Sequence, residues 1–198
     1  MRVLLAAGLV FGVGAFATLA AWTDTENATG SFGASVFGTE SQSAGSPTYT
    51  SQTAAPGASL TFNATAMSPG TSFYAWLNVR TTPASTVGGT VALTGIANNA
   101  GGLVGALQYR AVRTASVNPT SPCDATAFTG TPVFIAGAAA TYLQVTAAVP
   151  ASPVASPIAA AGGAIGYCFE VRVAPGSANT YQGTTATVTW TFTSTSAS

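Results

Sequence analysis

The sequence YCFEVRV, residues 167–173, decides the fold class because its side chains alternate in character with a period of two. Tyr167 and Phe169 lie on one side of an extended chain, and Cys168 and Glu170 lie on the other. This alternation predicts a β-strand that turns one face to a hydrophobic core. The same pattern recurs at residues 60–66, 73–80, 107–112 and 186–192, with weaker signals at 91–95, 133–136 and 142–146.

Turn signals separate these strands, and no stretch after the first 20 residues carries a sustained helical period. Pro-Gly pairs at 56–57 and 69–70 are typical of type II turns. The sequence SPCDATAF predicts one helical turn with Ser121 as its N-cap, and the Ala- and Pro-rich stretch 149–163 is interpreted as a surface excursion. About eight strands in one domain predict an all-β fold, an antiparallel two-sheet sandwich of jelly-roll or immunoglobulin-like kind.

The first 20 residues read as a signal peptide. A short positive start is followed by an apolar run and then by small residues of the kind that a signal peptidase recognises. We expect cleavage after Ala20, with cleavage after Ala21 as the second choice, and an uncleaved membrane anchor as the alternative. The predicted organisation is therefore a signal peptide at 1–20, an N-terminal strand and linker at 21–46, and a β-sandwich domain at 47–198.

Cys123 and Cys168 are the only cysteines. In an exported chain such a pair predicts a disulfide, with two free buried thiols as the alternative. Because Cys168 lies on the outward face of its strand, the bond is expected to hold the Cys123 loop across the outside of the sheet. Glu170 and Arg172, on the same outward face, are expected to form an exposed pair of little energetic value.

The sequence contains no histidine and no lysine, which removes most catalytic machinery. Ser-His-Asp and Cys-His sites, histidine zinc motifs and lysine Schiff bases are excluded, and no glycine-rich phosphate loop is present. We therefore predict a protein that is not an enzyme and has no cofactor or metal. Asp24 and Glu26 leave a weak calcium contact as an alternative, and Asp124 is expected to start a helix or a turn.

Charge is sparse along the chain. Beyond the leader, four arginines and five acids leave a formal charge of −1. This balance argues against nucleic acid as a partner and permits copies of the chain to associate.

The stretch AAWTDTENATGSFGASVF, residues 20–37, places a short alternating strand directly after the leader. Phe32, Ala34 and Val36 would lie on one face of that strand, and a polar segment at 40–46 would separate it from the sandwich as a flexible linker. A strand this isolated cannot bury its apolar face alone. It either adds to the sheet of another subunit or folds back as an edge strand of its own sandwich.

The same stretch resembles the start of the TasA/camelysin-type bacterial exported proteins, whose export uses a dedicated SipW-type signal peptidase. The matching features are an aromatic-x-Asp step at 22–24, an Asn- and Thr-rich step at 27–30, and the apolar pattern at 32–37. MSPGTSFYAWLNVRTT at 67–82 and TATVTWTFT at 185–193 also match, and the cysteine pair is similar to that of actinobacterial members. Ser35 departs from the glycine that is usual in the family, and the usual L-D-L ending is absent, so the register of any inserted strand stays open.

This resemblance implies a jelly-roll subunit that polymerises into surface or biofilm-matrix fibres. The mature N-terminal segment of one subunit would complete a sheet of the next, and the implied polymerisation strand contains Trp22, Phe32, Ala34, Val36 and Phe37. The expected partner is the chain itself, and accessory fibre or matrix proteins are a further candidate. Contact with the membrane is expected only through the signal peptide before cleavage. The alternative is a monomeric cell-surface module that binds a glycan or another ligand around Trp76 or Tyr74.

Overall fold

The computed structural model of this chain describes residues 31, 33–54, 57–62, 67–99 and 101–198. Residues 34–198 form one compact unit. Its strands are β1 (Thr39–Ser43), β2 (Ser46–Thr50), β3 (Ser72–Thr81), β4 (Gly89–Asn98), β5 (Leu107–Arg113), β6 (Val133–Ala136), β7 (Leu143–Gln144), β8 (Ser156–Ile158), β9 (Ala164–Val173) and β10 (Val188–Ser196). Three short 3-10 helices span Gly102–Ala106, Ala125–Phe128 and Asn179–Tyr181.

The strands form two antiparallel sheets. The larger sheet has the order β2-β1-β3-β9-β5-β6, with β7 also paired to β5, and the smaller sheet has the order β10-β4-β8. The predicted all-β fold, an antiparallel two-sheet sandwich, is confirmed. Among the residues that the structure describes, no helix has the length and apolar character needed to cross a membrane.

The core lies between the two sheets and is rich in aromatic rings. Phe169 of β9 packs against Trp190 of β10 with ring centroids 4.9 Å apart, and Tyr167 lies 4.8 Å from Phe192. Burial raises the pKa of Tyr167 to about 12. The alternating strands thus turn the predicted faces inward, since the buried side chains include Ala75, Leu77, Val79, Leu107, Tyr109, Ala111, Val171 and Val173.

Most predicted strands are present. The weaker signals at 91–95, 133–136 and 142–146 correspond to β4, β6 and β7. The Pro-Gly turn before β3 is also confirmed, because Thr71 N–H donates to Ser68 O at 3.1 Å and Gly70 has a φ of +83°. The excursion at 149–163 differs from prediction in containing β8, whose Ser156 and Ile158 are buried.

Two segments differ from the prediction: one expected strand is irregular, and one expected linker is a strand. The predicted strand at 60–66 is irregular in its described part, 60–62, and residues 63–66 lie outside the described residues. The predicted flexible linker at 40–46 is instead β1 and its turn, and the compact unit begins at residue 34 rather than 47. The physical reason is pairing, because β1 lies between β2 and β3 and matches five residues of β3 in register.

The helical turn near Ser121 begins three residues later than predicted. Asp124 is the N-cap of the 3-10 helix Ala125–Phe128, and its Oδ1 accepts hydrogen bonds from Thr126 N–H at 2.8 Å and Thr126 Oγ1 at 2.6 Å. The hydroxyl and backbone donors of Thr126 lower the pKa of Asp124. Ser121 does not cap it, because its Oγ accepts from Ser116 N–H at 2.9 Å.

The predicted disulfide is present and joins Cys123 to Cys168, with Cα atoms 5.2 Å apart. It attaches the loop around Cys123 to the outer face of β9. Cys168 is fully buried there in a second small core with Val112 and Phe128. The outer face of the large sheet is therefore covered over this region rather than exposed.

The prediction that Glu170 and Arg172 form an exposed pair was wrong, because the outer face of β9 is covered here. Glu170 is only 2% exposed and pairs with Arg110, whose Nε lies 2.6 Å from its Oε2. Its other oxygen accepts from Tyr142 Oη at 2.7 Å and from Ser72 Oγ. Burial alone would raise the pKa of Glu170, but these hydrogen bonds and the Arg110 charge together lower it. Arg172 instead lies over the Tyr142 ring, 3.4 Å from its centroid.

Candidate functional site

Five strands lie at sheet edges, and they differ in how well they are protected from pairing with another chain. β2 and β8 each contain a proline, and β6, β7 and β8 have only four, two and three residues. β10 has nine residues, VTWTFTSTS, with no proline and no charge. Because proline, charge and shortness are what normally protect an edge, β10 is the edge best suited to accept a further strand.

The ladder between β10 and β4 fixes which backbone groups of β10 point outward. Asn99 N–H donates to Thr187 O at 3.1 Å, and Ala197 N–H donates to Gly88 O at 2.8 Å. With the antiparallel register, these bonds direct the odd-numbered residues of β10 towards β4. The N–H and C=O groups of Val188, Trp190, Phe192 and Ser194 therefore point to the opposite side, where β10 has no ladder partner among the described residues.

An irregular segment, 57–62, packs against the core near Trp190 of β10. Phe62 reaches the core and lies 6.2 Å from Trp190 between ring centroids. The segment is held through Ser59, whose carbonyl accepts from Ser43 Oγ at 2.5 Å and whose N–H donates to Ser46 Oγ at 3.1 Å. Two serine hydroxyls thus hold it in place of a β-ladder.

Two buried polar atoms lie in the core between the sheets. Trp190 Nε1 and Tyr109 Oη have no partner within hydrogen-bond distance among the described residues, and their rings lie 5.6 Å apart. Burial raises the pKa of Tyr109, and the nearby Trp190 N–H opposes that shift.

Hydrogen bonds tie residues 36–38 to the chain that follows β3. Val36 N–H donates to Thr86 Oγ1, and Thr86 N–H donates to Val36 O, both at 2.9 Å. Gly38 is held in the same way, because its N–H donates to Ser85 Oγ at 3.1 Å and its carbonyl accepts from Thr82 N–H at 2.8 Å. Residues 36–38 are therefore fixed to the connection between β3 and β4.

Just beyond that connection, the start of β1 lies against the last part of β10. Thr39 Oγ1 and Ser194 Oγ are 3.1 Å apart. The beginning of β1 therefore lies beside the C-terminal part of β10.

The structure describes only part of the predicted polymerisation strand. Ala34 is exposed, Val36 is 49% exposed and Phe37 is half-buried, and none of the three is in a strand. Trp22 and Phe32 lie outside the described residues, as do the cleavage positions Ala20 and Ala21 and the acids Asp24 and Glu26. The apolar side chain of Val36 is thus not buried by its own subunit.

Charge does not oppose strand addition at this edge. The strands of the small sheet contain no charged residue, and neither does the stretch 27–37. Elsewhere in the described chain, Glu40 is paired with Arg80 at 2.9 Å and Glu170 with Arg110. Two uncharged segments can approach each other without repulsion or the cost of burying a charge.

The other candidate residues do not form a site. Tyr74 packs against Phe128 with centroids 6.0 Å apart, Trp76 is half-buried, and Trp190 belongs to the core. No group of three His, Cys, Asp or Glu residues that could hold a metal occurs in the part of the chain that the structure describes.

Sequence reasoning singled out residues 21–37 as a candidate donor segment, which stays a prediction, and it did not single out the β10 edge. The sequence does show a long strand near the C-terminus that has no charge and no proline. Whether that strand lies at the edge of a sheet depends on the strand order, which the sequence pattern does not report. No protein-family model matches this chain, and no curated protein matches it. The TasA/camelysin-type assignment therefore stays a prediction from the motifs quoted above.

Proposed function

We propose that this chain is a secreted structural subunit that polymerises into extracellular fibres of a bacterial surface or biofilm matrix. In this proposal the N-terminal segment of one subunit adds as a strand to β10 of the next. The observation that carries it is the outer edge of β10, a strand of nine uncharged residues that has no ladder partner on that side in the part of the chain that the structure describes.

The length of the N-terminal segment is sufficient for this contact. Residues 21–35 precede the anchor at Val36, and fifteen extended residues span about 50 Å. That reach is about twice the width of the larger sheet, whose six neighbouring strands span roughly 25 Å because adjacent strands lie about 5 Å apart. The anchor keeps the base of the segment in its own subunit, while the exposed residues 33–35 begin the part that extends away.

The chemistry of the inserted strand fits the edge. Phe32 and Ala34 alternate with Gly33 and Ser35, so one face is apolar and the other is small and polar. An antiparallel or parallel strand beside β10 would pair with its outward N–H and C=O groups and turn Phe32 towards the core region around Trp190. Addition of this kind gains both backbone hydrogen bonds and apolar burial.

The contact uses two different surfaces of the subunit, so it is head-to-tail. A donor segment at one place and an acceptor edge at another produce a filament when the rotation between subunits does not close a ring. The expected partner is the chain itself, and the disulfide suits an oxidising extracellular compartment. The resemblance to TasA/camelysin-type fibre proteins supports the same arrangement.

Removing the donor segment tests this function. We compare a chain that begins at Ala21 with one that begins at Val36, which keeps the anchor to Ser85 and Thr86. The first should form filaments in negative-stain electron micrographs. The second should elute as a folded monomer with the same circular dichroism spectrum. Filaments of normal appearance from the shortened chain would refute the proposal.

The alternative, a monomeric glycan- or ligand-binding module centred on Trp76 or Tyr74, gains no specific support from the arrangement of those rings. It would be favoured if the chain that begins at Ala21 stayed monomeric at high concentration and bound a glycan that Trp76→Ala no longer binds.

A further inference from the structure

Arg113, the last residue of β5, differs from the other arginines of the described chain. Arg80 and Arg110 each form an ion pair, and Arg172 donates to Gln108 Oε1 at 3.3 Å. The Arg113 side chain makes no ion pair or hydrogen bond with any described residue. A guanidinium group that is partly buried and unpaired is unusual in a protein with so few charges.

Two clefts meet at this side chain. One has a volume of about 260 Å³ and lies between Arg113 and the residues Pro157 and Ile165. The other has a volume of about 440 Å³ and a mixed lining, in which Pro122, Pro132 and Val133 lie beside hydroxyl side chains that include Thr120, Ser121, Thr126, Thr129 and Thr131. Arg113, Thr114 and Ala115 line both clefts, and we refer to the larger cleft as the groove.

The walls of the larger cleft are fixed by contacts that do not involve a ligand. On one side, buried Asn78 donates from Nδ2 to Asn118 O at 2.9 Å and accepts from Asn118 N–H at 3.0 Å. On the other side, the disulfide holds Cys123, and Phe128 packs against Tyr74. A groove held in this way loses little conformational freedom when it binds a ligand.

We propose that this groove binds the carboxylate of an acidic saccharide, of the uronic acid class. A guanidinium fork matches a carboxylate in a bidentate geometry. Asp124, which is bonded to Thr126 of the wall, disfavours a doubly charged phosphate more strongly than a singly charged carboxylate. The hydroxyls of Thr120 and Thr131 make no hydrogen bond with any described residue, so they can meet the hydroxyls of a sugar ring.

The size of the groove agrees with this class of ligand. Small-molecule sites usually have volumes of roughly 300–1,000 Å³. The groove, at about 440 Å³, therefore has room for one or two sugar rings. The inference does not depend on polymerisation, because the groove and the β10 edge share no residue. If both are right, the fibre would present one acidic-sugar site on every subunit.

Calorimetric titration of the purified chain that begins at Ala21 tests the proposal. The probes are trigalacturonate, neutral maltotriose as the uncharged control, and inorganic phosphate. We expect trigalacturonate to bind, Arg113→Gln to weaken that binding at least tenfold, and Arg113→Lys to restore part of it. Arg80→Gln is the matched control, since Arg80 is also partly exposed but paired, and it should leave the affinity unchanged.

Several results would overturn the proposal. The proposal fails if trigalacturonate does not bind. It also fails if trigalacturonate binds and Arg113→Gln leaves the affinity unchanged. Maltotriose or phosphate binding as tightly as trigalacturonate would also contradict the carboxylate specificity. If instead the peptide WTDTENATG, residues 22–30, bound through Arg113 and trigalacturonate did not, the groove would be a contact between subunits. The fibre assay on the chain that begins at Val36 tests polymerisation alone, so its result is independent of these binding measurements.

Discussion

Proline at position 194 is expected to block fibre growth while leaving the subunit folded. Ser194 lies on the open side of β10, so its N–H takes no part in the ladder with β4. Ser194→Pro therefore removes a donor that only an incoming strand would use. Within the subunit, the substitution loses the hydrogen bond between Ser194 Oγ and Thr39 Oγ1, worth roughly 0.5–1.5 kcal/mol.

The effect on assembly should be larger. An incoming strand loses one ladder bond and keeps an unpaired carbonyl, a cost of roughly 2–4 kcal/mol at each subunit contact. Since 1.4 kcal/mol corresponds to a factor of ten, the affinity of a subunit for the fibre end should fall about 30- to 700-fold. The critical concentration for polymerisation should rise by a similar factor.

Sedimentation of fibres over a range of protein concentrations measures this critical concentration, and thermal unfolding measures stability. Ser194→Pro should lower the melting temperature by about 2–6 °C, because 1 kcal/mol corresponds to about 2–4 °C at this chain length. Thr193→Pro is the matched control, since Thr193 faces Ala92 of β4 and proline there should destabilise the subunit more. An unchanged critical concentration for Ser194→Pro would refute the role of this edge.

Two further predictions concern the outer face of the large sheet, where the Cys123 loop and the Glu170 network lie. Cys123→Ser opens a disulfide loop of 45 residues and should lower the free energy of unfolding by about 4 kcal/mol in chemical denaturation, whereas an unchanged midpoint would contradict this. Glu170→Gln leaves Arg110 without its carboxylate and should cost about 3 kcal/mol, whereas Glu40→Gln at the more exposed pair with Arg80 should cost less than about 1 kcal/mol. Because the pKa of Glu170 is lowered on folding, its contribution to stability is present at neutral pH. That contribution should be lost as the pH falls from about 4.3, the usual unfolded value, through the lower folded pKa. Glu170→Gln should flatten this acid dependence, and an unaltered profile would count against the assigned network.

The strands of the core could be predicted from the sequence because their signal is local. Alternation in YCFEVRV and TATVTWTFT depends only on neighbouring residues, and β9 and β10 turn the expected faces inward. β1 was missed because its sequence TESQS has no apolar alternation. Its place in the sheet comes from pairing with β3, which is distant in the sequence.

The candidate site could be predicted only in part for the same reason. The burial of Glu170 depends on a cover formed by residues more than 25 positions away, including Tyr142, so its strand alone gave no sign of it. The openness of β10 depends on which strands become its neighbours, and no local pattern reports that. By contrast, the pairing of Cys123 with Cys168 followed directly from there being only two cysteines.

A mixing experiment tests strand donation to β10 most directly. The chain that begins at Val36 keeps the acceptor edge but has no donor segment, and the Ser194→Pro chain that begins at Ala21 keeps the donor but has a blocked edge. At a protein concentration above the critical concentration of the unsubstituted chain and below that of the Ser194→Pro chain, each variant alone should remain monomeric in size-exclusion chromatography with light scattering. An equimolar mixture should give dimers that contain one copy of each and do not grow further. The absence of any such dimer, or the growth of fibres from either variant alone, would contradict the proposed mechanism.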